Sequence, residues 1–595
     1  MLVKITNWII IFLITSIFAD TSNAQTSMIN VKSRDLKSLN GNWSVIIDPT
    51  GIGEWRKVWL EKEPEKKTDF FEYSFHGAPE LKVPGDFNSQ KCELTYFEGI
   101  VWYKKQFNHG LKDEKRLFLH FAAVNYIADV YLNGKKIGTH EGGFTPFQME
   151  VTDKIVRGPN NVVVKVNNNR LGNGLPGHGY DWLNYGGITR DVNLVETNNT
   201  YISDYSIQLK KGSLDTILGW VQLDGIQSEQ NIKVKIPELN AVIQTKSDNN
   251  GLANIELTSN FELWAPENPK LYKIIIESET DTINDNIGYR CIEVIGNKML
   301  LNKKPIFLKG INIHEENPYS GSRANSPEDA QILLNAAKEL GCNLVRLAHY
   351  PHNEYMVKEA EKMGLLVWDE LPVYQHIEFS DSLVPKKMET MLKEMVHRDK
   401  NRCAVIIWSL SNETYSFTPK RDKELIELTQ KCRALDSTRL ITHVINTQGY
   451  ENNTFNVWDT LYNYSDIIAL NEYLGWYVPW QGNPSETEWN IVYPDKPVFI
   501  SEFGGEALFG SNTGPTDEAA YWTEEYQANI YKRQIEMFGT TPNLVGVCPW
   551  LLFDYKSLGR MHPIYQQGYN RKGLLSENGE KKKAWYIMKE YYKNK

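Results

Sequence analysis

Two carboxylates follow apolar segments of the sequence in a pattern that is typical of glycosidic bond cleavage. Glu413 ends the string Trp408-Ser-Leu-Ser-Asn412-Glu413, and Glu502 ends the string Val498-Phe-Ile-Ser-Glu502. Each string predicts a buried strand that delivers one carboxylate at its C-terminal end. Glycoside hydrolases use such a pair of carboxylates, one on each side of the scissile bond. If both strands belong to one (β/α)8 barrel, both acids reach the face where barrel enzymes carry out their chemistry.

The two carboxylates are predicted to have different roles in a double displacement. We assign Glu502 as the nucleophile and Glu413 as the acid/base. The acid must carry its proton near neutral pH, which the negative charge of an ionised partner favours. Once the sugar is attached to Glu502 that charge is gone, and Glu413 can act as a base towards water. Asn412, directly before the acid, is predicted to hydrogen-bond the 2-hydroxyl group of the sugar.

Other groups stand at predicted strand ends of the same barrel face. Arg346 ends one strand and is placed to hold Glu502 in its ionised form. His314, His349 and Trp550 are similarly placed. A single histidine is more often structural, but imidazole and indole groups on separate strand ends of one face favour substrate contact.

Composition and charge narrow the class of protein. A chain of 595 residues predicts about three domains. The net charge of −9 argues against a nucleic-acid partner, which needs a basic surface. The six cysteines are scattered without a CxxC spacing, so no metal site is predicted, and no cofactor is needed. We expect these cysteines to be small buried side chains, and one fortuitous disulfide remains an alternative.

The N-terminus resembles a cleaved signal peptide over residues 1–24. Lys4 gives it a positive start, residues 8–18 are apolar but too short to span a bilayer, and Ser22-Asn23-Ala24 is a cleavage site of small residues. We therefore expect an exported protein, periplasmic or secreted, without membrane insertion.

The rest of the chain divides at two changes of pattern. Residues 25–197 contain short alternating strands, which predict a jelly-roll β-sandwich of the sugar-binding kind. Residues 198–292 have the length of an immunoglobulin-like sandwich. Strands alternate with amphipathic helices over residues 293–595, which predicts a catalytic TIM barrel.

Two strings resemble glycoside hydrolase family 2, and the order of the three domains does so as well. Asn343-Leu-Val-Arg346-Leu-Ala-His349-Tyr-Pro351 is similar to the first barrel signature of that family, and residues 408–413 are similar to its acid/base signature. The resemblance covers nearly the whole mature chain. It implies a retaining, exo-acting β-glycosidase.

Three further strings resemble the β-glucuronidases of the family. The segment Asn471-Glu-Tyr473-Leu-Gly475-Trp476-Tyr477 implies that Tyr473 contacts the nucleophile and that Tyr477 lies near the sugar. A loop of the first sandwich, residues 181–188, implies that Asp181 binds sugar hydroxyls in the barrel mouth. Asn570-Arg571-Lys572 is similar to the Asn-x-Lys motif, so Asn570 and Lys572 are expected to hold the uronate carboxylate.

The sugar itself is left open by one departure from this pattern. Gln566 stands where the β-glucuronidases often have an arginine. Galacturonic acid or an uncharged β-galactoside therefore remain alternatives to glucuronic acid as the terminal β-linked residue. A carbohydrate-binding protein with a decayed barrel is the alternative of another class, but Glu413 and Glu502 are both present. The natural glycan, its linkage and a homo-oligomeric state also stay open.

Overall fold

The computed structural model describes residues 25–595 except 63–65, 67, 69–70, 111–113, 226–227, 416–417, 448 and 513–519. The predicted signal peptide, residues 1–24, lies outside the described residues. The predicted fold class is confirmed: two β-sandwiches precede a closed barrel of parallel strands.

The first sandwich consists of two antiparallel sheets that enclose an apolar core of alternating strand residues such as Val101, Tyr103, Leu119 and Phe121. The five-stranded sheet contains Gln25–Thr26, Phe147–Glu150, Lys115–Phe121, Val192–Asn198 and Leu36–Ser38. The six-stranded sheet contains Glu80–Val83, Gly41–Asp48, Ile100–His109, Gly158–Asn167, Ile127–Leu132 and Lys135–Glu141. A short helix, Ile52–Arg56, follows the second of these strands along the chain.

The second sandwich is smaller and has its own core, in which Ile207, Val221 and Ile274 are buried. Its three-stranded sheet contains Tyr201–Leu209, Thr216–Asp224 and Leu252–Thr258. Its four-stranded sheet contains Ala241–Lys246, Asn231–Ile236, Tyr272–Glu277 and Thr282–Ile287. A small sheet of Ile292–Ile295, Lys298–Leu301 and Lys304–Pro305 then leads into the barrel.

Eight parallel strands close the barrel. In order they are Leu308–Ile313, Leu344–Leu347, Leu366–Glu370, Val405–Asn412, Leu440–Asn446, Ile468–Asn471, Val498–Glu502 and Leu544–Val547. The barrel helices are Pro327–Leu340, Glu354–Met363, Val384–Asp399, Pro419–Leu435, Glu524–Phe538 and Lys583–Lys593. None of the helices in the described ranges is long and apolar enough to cross a membrane.

Local sequence explains why the barrel elements form where they do. The helix Pro327–Leu340 begins at a capping box, because the Ser326 hydroxyl accepts from the Asp329 amide and Asp329 accepts from the Ser326 amide. It ends at Gly341, whose φ of 96° suits only glycine. The methionines of Val384–Asp399 are buried in the barrel core, as the helical spacing predicted. All six cysteines are free thiols, and Cys342, Cys403 and Cys548 are buried.

A long loop of the first sandwich is fastened to the mouth of the barrel. This loop joins Gly158–Asn167 to Val192–Asn198. Near its end the guanidinium of Arg190 donates to both carboxylate oxygens of Glu315 at 3.1 Å, and both residues are buried. The Tyr185 hydroxyl donates to Glu316 at 2.7 Å. The loop is therefore held in place, and it contributes side chains to the site described next.

Candidate active site

The backbone at the end of the fourth barrel strand is irregular, and this irregularity determines the position of Glu413. The pairing of this strand with the fifth shifts register between Ser409 and Asn412. Glu413 follows with a φ of 49°, a left-handed conformation that costs free energy for a residue other than glycine. Its amide donates to the Val444 carbonyl at 2.9 Å, which fixes the turn. The strand end thus aims the Glu413 carboxylate into the barrel mouth.

Two amide side chains hold the Glu413 carboxylate. Asn471 donates to Oε1 at 2.9 Å, and Gln375 donates to Oε2 at 2.9 Å. Gln375 lies on the loop after the third strand, and its own φ is 47°. Its amide donates to the Asn412 carbonyl at 2.9 Å. Gln375 and the Asn412–Glu413 turn therefore fix each other, and Gln375 is a positioning residue for Glu413.

Glu502 is the last residue of the seventh strand and is 4% exposed. Arg346 donates to its Oε1 at 2.8 Å and Tyr473 to its Oε2 at 2.8 Å. Burial raises the pKa of Glu502 to about 7, and the nearby Glu413 charge adds to this rise. Arg346 and Tyr473 act in the opposite direction, because both stabilise the ionised carboxylate. Glu502 is thus a carboxylate that can be ionised at neutral pH inside a buried site.

Arg346 is fully buried and links several strand ends below the cavity. It forms a bidentate ion pair with Glu370 and donates to Asn412 Oδ1 at 2.7 Å. Asn471 donates to the same Oδ1 at 3.2 Å. Asn412 Nδ2 is buried and has no acceptor in the described part of the chain. The contact of Asn412 with a sugar hydroxyl stays a prediction.

Aromatic rings form the base of the site. The His349 ring stacks on Trp550 with centroids 4.8 Å apart, and its Nδ1 lies 2.7 Å from Glu370. Burial lowers the pKa of His349 to about 4, so the imidazole is neutral at pH 7. His314 is buried next to the rings of Trp182 and Tyr555, with centroid distances of 5.6 Å and 4.2 Å, and it is not part of the cavity wall. The substrate contact of His314 therefore stays a prediction.

The two carboxylates open into one cavity of ≈ 670 Å³. Of the sequence-predicted residues, the wall contains Asp181, His349, Glu413, Tyr473, Tyr477, Glu502, Trp550, Asn570 and Lys572. Arg346 and Asn412 are buried beneath it. The volume lies in the range of pockets that enclose a small ligand.

A group of cations and amides forms one side of this cavity, on the loop after the eighth strand. Lys572 Nζ donates to the Tyr477 hydroxyl at 2.8 Å and lies 3.2 Å from Glu506 Oε1. It also lies 4.8 Å from the centroid of the Tyr477 ring. The Lys572 amide donates to Asn570 Oδ1 at 3.2 Å, and this hydrogen bond links the two residues of the motif.

Arg560 adds a second cation that sequence reasoning did not find. Its Nη2 lies 2.6 Å from Asp181 Oδ2 and its Nη1 lies 3.3 Å from Glu506 Oε1. Asn570 Nδ2 donates to the same Asp181 oxygen at 3.2 Å. The cations Arg560 and Lys572 lower the pKa of Glu506 against the opposing effect of its burial, so this carboxylate is ionised. Gln566, the residue that departs from the family pattern, donates to Glu506 at 3.0 Å.

The chain is similar to known proteins over most of its length. Three family models match it: the family 2 sugar-binding domain over residues 36–198, the family 2 model over 200–290 and the family 2 TIM barrel domain over 292–595. The chain belongs to glycoside hydrolase family 2, and it is a glycoside hydrolase.

Two relatives and one solved structure that are similar to the chain are all named β-glucuronidases. The β-glucuronidase of Streptococcus agalactiae is 29% identical over 87% of this chain and 93% of its own length. The β-glucuronidase of Rattus norvegicus is 27% identical over 94% of this chain and 91% of its own. The solved structure of a β-glucuronidase from an uncultured Clostridium species has a TM-score of 0.82 at 25% identity and covers 96% of this chain and 100% of that one. Within the family, the chain is similar to the β-glucuronidases, both in its motifs and in these relatives.

Proposed function

We propose that the protein is an exported, retaining exo-β-glucuronidase that removes a terminal uronic acid from a glycan. The observation that carries the sugar assignment is the position of Lys572, which lines the same cavity as Glu413 and Glu502. Arg560 and Asn570 line that cavity too. An anionic protein needs a local cation to bind an anionic sugar, and charge-assisted hydrogen bonds to a carboxylate are among the strong ones. The names of the similar proteins support the same sugar.

The charged side of the cavity also suits the geometry of a uronate. In such a sugar the 4-hydroxyl group is next to the carbon that carries the carboxylate. Asp181 offers a carboxylate oxygen beside Arg560 and Asn570. A hydroxyl donor and a carboxylate acceptor on neighbouring carbons can therefore be bound by adjacent groups. A neutral hexose would offer Lys572 no carboxylate, and Lys572 would stay paired with Glu506.

The mechanism follows from the contacts of the two acids. Glu502, ionised with help from Arg346 and Tyr473, attacks the anomeric carbon. Glu413 gives its proton to the leaving oxygen as the bond breaks. The covalent glycosyl-enzyme removes the Glu502 charge, and Glu413 then takes a proton from water, which attacks the same carbon. Each step inverts the anomeric carbon, so the product keeps the β configuration.

The stereochemical part of the proposal is tested by proton NMR during the first minutes of hydrolysis. The first-formed sugar should be the β anomer, with the α anomer growing only by mutarotation. An initial α anomer would show a single displacement and would contradict a nucleophilic role for Glu502.

The sugar is tested with aryl glycosides that share one aryl group: β-glucuronide, β-galacturonide, β-galactoside and β-mannoside. We expect kcat/KM to be highest for the glucuronide. A higher value for the galacturonide would keep the charged site and change the epimer, whereas a higher value for the galactoside would overturn the uronidase proposal.

Export is tested separately, by whether the mature protein begins after Ala24 when the full chain is expressed with a secretion pathway.

A further inference from the structure

Two exposed rings lie against each other near Glu413, outside the cavity wall. The centroids of His376 and Tyr415 are 4.5 Å apart and their planes differ by 32°. His376 is exposed, and Tyr415 is 41% exposed. Neither residue lines the cavity that holds the two carboxylates. The pair therefore provides aromatic surface beyond the pocket for the terminal sugar.

The pair is fixed to the acid/base by short connections. Tyr415 is two residues after Glu413, and its amide donates to the Gln375 carbonyl at 3.1 Å. His376 directly follows Gln375, whose side chain donates to Glu413 at 2.9 Å. An acid that protonates a leaving oxygen must have the leaving group beside it. The two rings are thus carried by the segments that hold Glu413, beside which the leaving group must bind.

The first sandwich supports the His376 ring. A Cβ atom at Gly179 would lie 2.8 Å from His376 Cδ2, and one at Gly177 would lie 2.1 Å from the His376 carbonyl oxygen. Glycine at both positions lets the sandwich loop contact His376 closely. The ring therefore lies between Gly179 and Tyr415, so that its position is set by packing.

Polar groups of the first sandwich line the cavity together with Gln375. Arg170 donates to Glu98 at 2.9 Å and lies 3.9 Å from the centroid of the Tyr180 ring. Arg170, Glu98, Tyr180 and Gln375 all line the cavity. A sugar ring has an apolar face of C–H groups and a rim of hydroxyls, so it suits aromatic rings next to such donors and acceptors. A wide apolar aglycone would need an apolar wall instead.

We propose that His376 and Tyr415 bind the first sugar of the leaving group, so that the substrate is a glycan in which the uronate is linked to another sugar residue. This inference rests on the proposed function for the terminal residue. It adds the residues that recognise the first sugar of the leaving group.

The test compares two substrates with the same terminal sugar: a disaccharide of β-linked glucuronic acid on a hexose, and methyl β-glucuronide. The measured quantity is the ratio of kcat/KM for the disaccharide to kcat/KM for the methyl glycoside. Aromatic contacts of this kind predict that Tyr415→Ala and His376→Ala each lower this ratio about three- to tenfold. Tyr415→Phe keeps the ring and should keep the ratio. Tyr586→Ala removes a tyrosine that is 59% exposed on the last helix and serves as the control.

The outcomes separate this inference from the proposed function. If Tyr415→Ala lowers both specificity constants equally, the pair only supports Glu413 and the inference is overturned; an unchanged ratio overturns it as well. Gly179→Ala, which displaces the His376 ring without removing it, should lower the ratio in the same direction. If the wild type hydrolyses neither glucuronide, the proposed sugar is wrong, and the same ratio is then measured with the terminal sugar that the enzyme accepts.

Discussion

The Tyr473 hydroxyl donates a hydrogen bond to Glu502 Oε2 at 2.8 Å, on the carboxylate oxygen that Arg346 does not contact. The two donors together stabilise the ionised form of a carboxylate that is otherwise buried. Without them, burial would favour the protonated form more strongly, and a protonated nucleophile cannot attack. Tyr473, which lies just after the sixth strand, therefore affects the ionisation of Glu502 at the end of the seventh strand.

The pH dependence of the enzyme should report this hydrogen bond. The pKa of Glu502 lies at about 7 in the folded protein, so kcat/KM should fall as the pH falls through this value. Tyr473→Phe removes a group that lowers this pKa, and the acid limb of the profile should move to higher pH. Tyr477→Phe, which removes a hydroxyl bonded to Lys572 instead, is the matched control. A limb that moves to lower pH in Tyr473→Phe would contradict the assignment.

Gln375→Ala should impair proton donation by Glu413 more than any other step. A hydrogen bond to a charged group contributes about 1.5–3 kcal/mol, so kcat/KM for methyl β-glucuronide should fall about tenfold or more. A 4-nitrophenyl glucuronide has a leaving group that needs little protonation, and its kcat/KM should fall much less. Equal losses on the two substrates would mean that Gln375 only stabilises the loop.

Azide should distinguish the roles of the two acids. Glu413→Ala and Glu502→Ala should each lower turnover at least about a hundredfold. In Glu413→Ala, azide can attack the glycosyl-enzyme and give the β-glycosyl azide. In Glu502→Ala, azide can take the place of the missing nucleophile and give the α-glycosyl azide. The products are identified by NMR, and activity like that of the wild type in either variant would remove this site.

Much of the catalytic core could be predicted because its residues follow regular strands. Glu413 and Glu502 come directly after apolar runs, and parallel strands bring their ends to one face. The first barrel strand, Leu308–Ile313, gives a weaker signal in the sequence, because Lys309 and Gly310 interrupt its apolar pattern. Gly310 is needed there, since a Cβ would lie 3.0 Å from Cys548 Sγ.

The groups that could not be predicted lie on irregular loops. Gln375, Glu506 and Arg560 follow no periodic pattern, and their positions depend on how long loops close over the barrel. Arg560 reaches Asp181, which is 379 residues away in the sequence. Such a contact between a barrel loop and a sandwich loop exists only after the domains have docked. The resemblance to β-glucuronidases gave Asn570 and Lys572, but not the carboxylate of Glu506 that balances the charge of Lys572.

A uronate site built around Lys572 can be tested with one ratio of specificity constants. The ratio is kcat/KM for an aryl β-glucuronide divided by kcat/KM for the aryl β-glucoside, which differ only in the carboxylate. Lys572→Ala should lower this ratio at least about tenfold. Lys303→Ala removes the same charge outside the cavity and should leave it unchanged. A ratio in Lys572→Ala that equals the wild-type value would show that Lys572 does not bind the sugar carboxylate and that the uronate site is not there.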